Sequence, residues 1–298
     1  MRRKRQTYIQ PILLCAVILF FVSSSATAGT WTTLDYPGAT QSYVTGISGN
    51  NIVGYYGTSV NQHGFIYDGT NWKTFDISSE RSTVLLGISG NNIVGEYEDS
   101  VFIGLYHSFL YDGTTWTTIP LMAFGVGPGI NYGIDDDIIV TSNQIYNIAT
   151  QSLTTLNYPG ASRTMICGVD GSNLVGSYDN HGFVYNMTTQ NWTTIDYPEA
   201  TYTRIYGIDG SNLVGSSTLN GEKLADFIYD GTTFHALDLP GSPMGIYGNI
   251  IVGSYITTIH FGDNGIGVFS HGYVYTIPEP ASLLFMGLGA AFVAKRRR

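Results

Sequence analysis

A six-bladed, all-β propeller with four-stranded blades is the fold this 298-residue sequence predicts, and three observations predict it. A phrase typified by WTTLDYP recurs six times, anchored on Trp31, Trp72, Trp116, Leu153, Trp192 and Phe234, at steps of 41, 44, 37, 39 and 42 residues. Three more short strand patterns follow each anchor, so each unit carries four strands at a period near 40, the signature of a propeller blade. The third observation is phase. The repeats open on an orphan fourth strand, Trp31 to Tyr36, and close on a third strand, Gly272 to Tyr275, that lacks its fourth. The N-terminal strand is therefore expected to complete the last blade. A β-solenoid or a pair of stacked sheets is the competing architecture, but neither requires that complementary phase.

In chain order, Met1 to Ala28 reads as a secretory leader. Arg2, Arg3, Lys4 and Arg5 precede the apolar run Ile12 to Val22, and small residues end at Ala26-Thr27-Ala28. Cleavage is expected between Ala28 and Gly29. An uncleaved anchor is the alternative. A lipoprotein signal through Cys15 is a weaker alternative, because Leu14 stands where a small residue is needed.

The repeat domain is expected over residues 29–276. First-strand glycines at Gly46, Gly87, Gly133, Gly168, Gly207 and Gly245 count six blades. Gly-Asn, Asp-Gly and Ser-Asn pairs after them tolerate positive φ in tight hairpins. Asp-Gly-Thr-Asn and Asp-Gly-Thr-Thr before the aromatic anchors mark a second hairpin. The third unit is the least regular, with a short IDDDIIVTSNQIYNIATQS segment. Units pairing Ile52-Val53-Gly54-Tyr55 with His63-Gly64-Phe65-Ile66-Tyr67, Ile93-Val94-Gly95 with His107-Ser108-Phe109-Leu110-Tyr111, and Leu174-Val175-Gly176-Ser177-Tyr178 with His181-Gly182-Phe183-Val184-Tyr185 resemble the bacterial extracellular repeat family named for a His-Ala-Phe triplet (HAF). No biochemical activity comes with that resemblance.

Past Tyr275 the composition changes. Pro278-Glu279-Pro280 is followed by the apolar stretch Ala281 to Ala294 and then by Lys295, Arg296, Arg297 and Arg298. The prolines stop a sheet. Four cations after an apolar run hold its end on the cytoplasmic side. Fourteen apolar residues span about 21 Å as a helix, less than a bilayer core of about 30 Å, so the basic side chains would snorkel. Residues 277–298 resemble the PEP-CTERM sorting signal. The resemblance implies a C-terminal transmembrane helix, transient inner-membrane anchoring, and recognition of Pro278, Glu279 and Pro280 by an exosortase-type enzyme. Delivery to the cell surface or extracellular (biofilm) matrix of a Gram-negative bacterium would follow.

Charge narrows the partners. Thirteen basic and 22 acidic residues give a net −9, but eight of the basic ones sit in the two terminal runs. The stretch between those runs keeps five against all 22 acids, a net −17. Such a body repels phosphate backbones, which argues against nucleic acid. Cys167 is left as a single thiol once the leader is gone, read as a small core residue.

The sequence offers no catalytic constellation, and no cofactor is expected. Asp68 to Trp72 and Asp112 to Trp116 miss the spacing of a sialidase Asp box, and Arg81, Arg163 and Arg204 are scattered over the blades. His63, His107, His181 and His271 share one blade position and are read as side chains bonded to a neighbouring turn rather than metal ligands. Asp135-Asp136-Asp137 lacks calcium-loop spacing and is read as a solvated turn. The sequons at Asn186 and Asn191 are read as turn chemistry. The expectation is a non-enzymatic protein that presents loops and exposed-turn aromatics such as Tyr56 and Tyr202 to a polysaccharide or surface protein. A carbohydrate-active hydrolase or lyase is the alternative, with its site in the third blade or the insert Gly57 to Gln62, and a purely structural matrix component is the other.

Overall fold

The computed structural model describes residues 29–58, 61–77, 81–121, 132–260 and 266–278. The expected leader, Glu279, Pro280, the expected membrane helix and the basic run Lys295 to Arg298 lie outside the described residues. Among the described residues, no helix is long and apolar enough to cross a membrane.

Among the described residues, twenty-four strands form six four-stranded sheets. An orphan strand comes first, β1 (Thr30–Thr33). Blade 1 is β2 (Ser42–Ser48), β3 (Asn51–Thr58), β4 (Asn61–Tyr67) and β5 (Trp72–Phe75). Blade 2 is β6 (Thr83–Ser89), β7 (Asn92–Glu98), β8 (Tyr106–Tyr111) and β9 (Trp116–Thr118). Blade 3 is β10 (Tyr132–Asp135), β11 (Ile138–Thr141), β12 (Gln144–Asn147) and β13 (Ser152–Thr155). Blade 4 is β14 (Thr164–Asp170), β15 (Asn173–Tyr178), β16 (His181–Asn186) and β17 (Asn191–Ile195). Blade 5 is β18 (Tyr202–Asp209), β19 (Asn212–Leu219), β20 (Glu222–Tyr229) and β21 (Phe234–Leu237). The sixth sheet runs β1–β24–β23–β22, with β22 (Ser242–Tyr247), β23 (Ile250–His260) and β24 (Ile266–Thr276). Thr30 lies opposite Thr276 and Trp31 opposite Tyr275.

One cross-strand pair builds each regular blade. The glycine of the second strand faces the aromatic of the third: Gly54 with Phe65, Gly95 with Phe109, Gly176 with Phe183, Gly215 with Phe227 and Gly253 with Tyr273. All five aromatics are fully buried. The glycine leaves room for the ring: a Cβ on Gly54 would stand 2.8 Å from Phe65, and one on Gly95 2.8 Å from Phe109. These rings then pack between blades, as Phe109 of blade 2 does with Val53 of blade 1. Each such burial contributes roughly 1.5–3 kcal/mol. Blade 3 places Thr141 opposite Gln144 instead, which accounts for its four-residue strands.

The structure departs from the sequence expectation at two places. Gly57 to Gln62 is not an insert: Gly57 pairs with Gln62 and Thr58 with Asn61, so β3 and β4 simply continue, with residues 59–60 outside the described set. Tyr56 and Tyr202 are not turn aromatics but half-buried strand residues of β3 and β18. The Tyr56 ring is already stacked on Tyr36, centroids 3.7 Å apart.

Because every strand reverses its neighbour, the blade-to-blade connections and the second-to-third-strand hairpins share one face of the ring. The first-to-second and third-to-fourth turns share the other. We call these the connection face and the turn face.

Candidate functional site

The six first strands meet at a narrow central channel of about 160 Å³. Gly46, Gly87, Gly133, Gly168, Gly207 and Gly245 line it. A Cβ on Gly133 would stand 2.8 Å from the Gly168 Cα, and one on Gly168 3.3 Å from the Gly207 Cα, so backbones abut where six strands converge. Five first strands carry a one-residue bulge just before this glycine, at Thr45, Leu86, Cys167, Tyr206 and Met244. A bulge re-aims its side chain. Cys167 is buried, as expected of a core residue, and also lines the channel. The Arg204 guanidinium donates to its Sγ at 3.5 Å and lies over the Tyr206 ring.

At the turn face a chain of side-chain caps links neighbouring blades. Ser48 Oγ accepts from the Gly90 N–H at 3.0 Å, Ser89 Oγ from Asp136 at 3.4 Å, and Asp135 from Gly171 at 2.7 Å. Asp170 accepts from Gly210 at 2.7 Å and Asp209 from Gly248 at 2.9 Å. Asp135 thus serves the blade 3–blade 4 junction. Burial pushes the Asp170 carboxyl up from its usual range, and Asp135 and Asp209 on either side add to the effect while the Gly210 N–H opposes it. Tyr247 holds the equivalent place in blade 6. The blade 6–blade 1 junction is bonded nearer the connection face, where Ser254 Oγ accepts from the Val44 N–H at 2.9 Å. Among the described residues no group of three His, Cys, Asp or Glu side chains is arranged to hold a metal.

The recurring histidines are hydrogen-bonded within their blades, but to an aspartate rather than to the neighbouring turn that the sequence suggests. An ionised carboxylate only accepts, so the imidazole is the donor. His63 Nδ1 donates to Asp76 at 2.9 Å, His181 to Asp196 at 2.7 Å and His271 to Asp35 at 2.8 Å. These aspartates are the D of the WTTLDYP phrase. Blade 2 has Pro120 at that place, and His107 turns to Asp99 through Nε2 at 3.0 Å.

Asp99 leads to the feature that sequence reasoning missed. Between β7 and β8, on the connection face, Val101, Phe102 and Ile103 are 73%, 65% and 79% exposed. The loop is nevertheless pinned. Asp99 Oδ1 accepts from the Val101 and Phe102 N–H groups at 2.7 and 2.9 Å, and Glu98 accepts from Gly104 at 2.7 Å. The Asp99 N–H closes the loop onto the Leu105 carbonyl at 2.7 Å. Ile256 and Ile259 on β23, Val268 on β24, and Leu219 and Leu224 at the blade 5 hairpin add exposed apolar side chains to the same face. A run of five apolar residues in six, VFIGLY, where blades 4 and 5 turn in two residues, was the available signal.

The pin has an expected pH dependence. The N–H groups of Phe102 and Val101, followed by His107, hold the Asp99 carboxyl down at about 2, below an ordinary value of about 3.9. A depressed folded-state value means the contribution is complete above the unfolded value and lost as pH falls through the folded one. Between about pH 4 and 2 the loop should loosen. Pepsin cuts after Phe102 or Leu105 should then appear within that window; a loop equally resistant at pH 2 and pH 4 would contradict the pin.

Comparison with known proteins bears on the chain's end. Residues 276–298 match the model of the PEP-CTERM protein-sorting motif. The chain carries a PEP-CTERM sorting motif. Such a motif marks an exported protein that is anchored in the membrane and sorted to the cell surface, and exosortase is the enzyme that recognises it. The PEP-CTERM match takes in Pro278, Glu279, Pro280 and the four terminal cations. No curated protein matches the chain. Among solved structures it is similar to PorZ, a surface component of the type-IX secretion system of Porphyromonas gingivalis, at 14% identity, covering 80% of this chain and 34% of that one, with a TM-score of 0.41. The chain thus spans about a third of the length of PorZ. It is also similar to virginiamycin B lyase from Staphylococcus aureus, at 11% identity, covering 84% of this chain and 100% of that one, with a TM-score of 0.44. At such scores neither likeness carries an argument about chemistry or partners.

Proposed function

We propose that this exported, surface-sorted propeller is a binding protein without catalytic activity, and that its connection face engages a protein at the cell surface or in the extracellular matrix of a Gram-negative cell. The observation that carries the reading is the pinned loop Val101 to Leu105, which holds apolar side chains in solvent on an ordered turn. Ordered apolar display with no covering element among the described residues is the character of a contact patch. Val, Phe and Ile offer no hydrogen bonds to a hydroxyl-rich glycan, so a protein surface fits better than a polysaccharide. With the stretch between the terminal basic runs at −17, the complementary rim is cationic. The recurring aromatic, His, Asp and Gly residues are engaged in the blades themselves, which leaves the places where blades differ to carry function. The HAF-like units fit an extracellular role. On this reading, leader cleavage after Ala28 and transient inner-membrane anchoring precede delivery, and the pairing of β1 with β24 holds the ring closed.

The double change Phe102→Asp and Ile103→Asp tests it. A photo-crosslinking residue at Val101 should capture one defined surface protein from intact cells. The double variant should bind that protein about tenfold more weakly or worse, in line with losing a buried apolar anchor, while its thermal midpoint stays unchanged. Equal affinity would remove the connection face from the proposal. Cleavage of matrix glycans by the purified body, residues 29–276, would overturn the non-enzymatic reading.

A further inference from the structure

The PEP-CTERM match begins inside the folded body. Thr276 is its first residue and also the last residue of β24. Thr276 is paired on both sides, with Thr30 of β1 and with Ile250 of β23. Ile277 follows, its N–H donating to the Asn249 carbonyl at 2.8 Å and its side chain packed on the blade 6 core. Pro278 is the very next residue, so no free linker separates the propeller from the sorting triplet. On the other side of the same edge, Gly29 abuts the Tyr275 ring so closely that a Cβ would overlap it.

We infer that the docked N-terminal strand controls how readily the sorting enzyme takes up Pro278-Glu279-Pro280. This rests on the sorting role of the triplet. A protein that receives an extended segment commonly pairs its own backbone with it. With β1 in place, both edges of β24 are occupied up to Thr276. When β1 lifts away, β24 becomes an edge strand whose last residues can pair with another chain. Docking of β1 and uptake of the residues just before the triplet therefore compete for one strand edge. The backbone identifies where to loosen β1. Leu34 donates to the Gly272 carbonyl at 2.9 Å, and antiparallel alternation makes Thr32–Val274 a hydrogen-bonded pair as well.

Two variants of the full chain, followed by pulse-chase of tail removal in the native host, test this. Inserting a flexible Gly/Ser segment of about eight residues between Ile277 and Pro278 leaves the ring untouched and should speed tail removal several-fold. Thr32→Pro, which removes the donor facing Val274, should speed it in the natural chain but add nothing in the linker-bearing chain. Unchanged rates in the linker variant overturn the inference, as does a Thr32→Pro effect that persists undiminished with the linker present. If Thr32→Pro fails to fold, the linker variant alone decides. A chain with Pro278, Glu279 and Pro280 all changed to Ala is the control for the underlying reading. If that chain is still processed and sorted, the triplet has no role. If it is blocked while the linker has no effect, only the role of β1 falls.

Discussion

Replacing Phe183 with Ala should destabilise the propeller by about 3–5 kcal/mol, the usual result of emptying a fully enclosed aromatic site. Phe183 has no exposed surface, and its ring packs with Ile166, Leu174 and Val140, the last contributed by blade 3. The lost contacts therefore lie within blade 4 and across the blade 3–blade 4 interface. Cross-strand Gly176 cannot fill the space, because it has no side chain to move. Urea unfolding of the purified body gives the measurement. The same truncation at Trp192, on the half-buried fourth strand of the blade, should cost clearly less. Equal midpoints for the Phe183 variant and the natural protein would show that the Gly–Phe pairs do not hold the blades.

Gly176→Val should be at least as damaging, and by a route no repacking relieves. The added Cβ would overlap the Met165 carbonyl oxygen and stand 2.9 Å from the Met165 carbonyl carbon and 3.0 Å from the Ile166 Cα. Those atoms belong to the paired first strand, so the sheet itself has to part. Overpacking of this kind usually costs about 1–3 kcal/mol and more when backbone must shift. We expect little folded protein at 37 °C, seen as loss of the cooperative thermal transition. Gly38→Ala is the matching control: it has φ near 80° but nothing within 4 Å of the added carbon, so its cost should be about 1 kcal/mol. Similar losses at the two positions would mean that backbone conformation, not the close approach of the paired first strand, governs both.

The blade architecture was legible because each regular unit repeats a steric solution. Val-Gly-Tyr on one strand and His-Gly-Phe on the next are the two halves of one cross-strand pair, so the pairing left its mark on composition at fixed spacing. Blade 3 was visible as the irregular unit for the same reason, since Thr141 and Gln144 replace that pair. The sorting motif was legible because its chemistry is linear: prolines, an apolar run and cations. What stayed hidden depends on which blade a side chain reaches. Ser48, Ser89, Asp135, Asp170 and Asp209 read as ordinary turn residues, and only ring closure brings each to the N–H of the next blade. The aspartates that orient the histidines sit about 13 to 15 residues away within one blade, or, for Asp35 and His271, at opposite ends of the body. The Val101 to Leu105 loop was overlooked because apolar residues in a β-rich repeat are expected to be buried, whereas bonds from the loop to Asp99 and Glu98 pin these outside.

The pairing of Thr30 with Thr276 sets the two ends of the body side by side in one sheet. Gly29 and Pro278 stand where the third-to-fourth-strand turn of a sixth blade would otherwise run. A short glycine bridge between them, with new ends opened at the exposed Gly113–Thr114 turn of blade 2, should yield a circular permutant with the same six sheets. In such a protein the seam moves from blade 6 to blade 2, and the identity of the first blade becomes a matter of where synthesis starts rather than of structure.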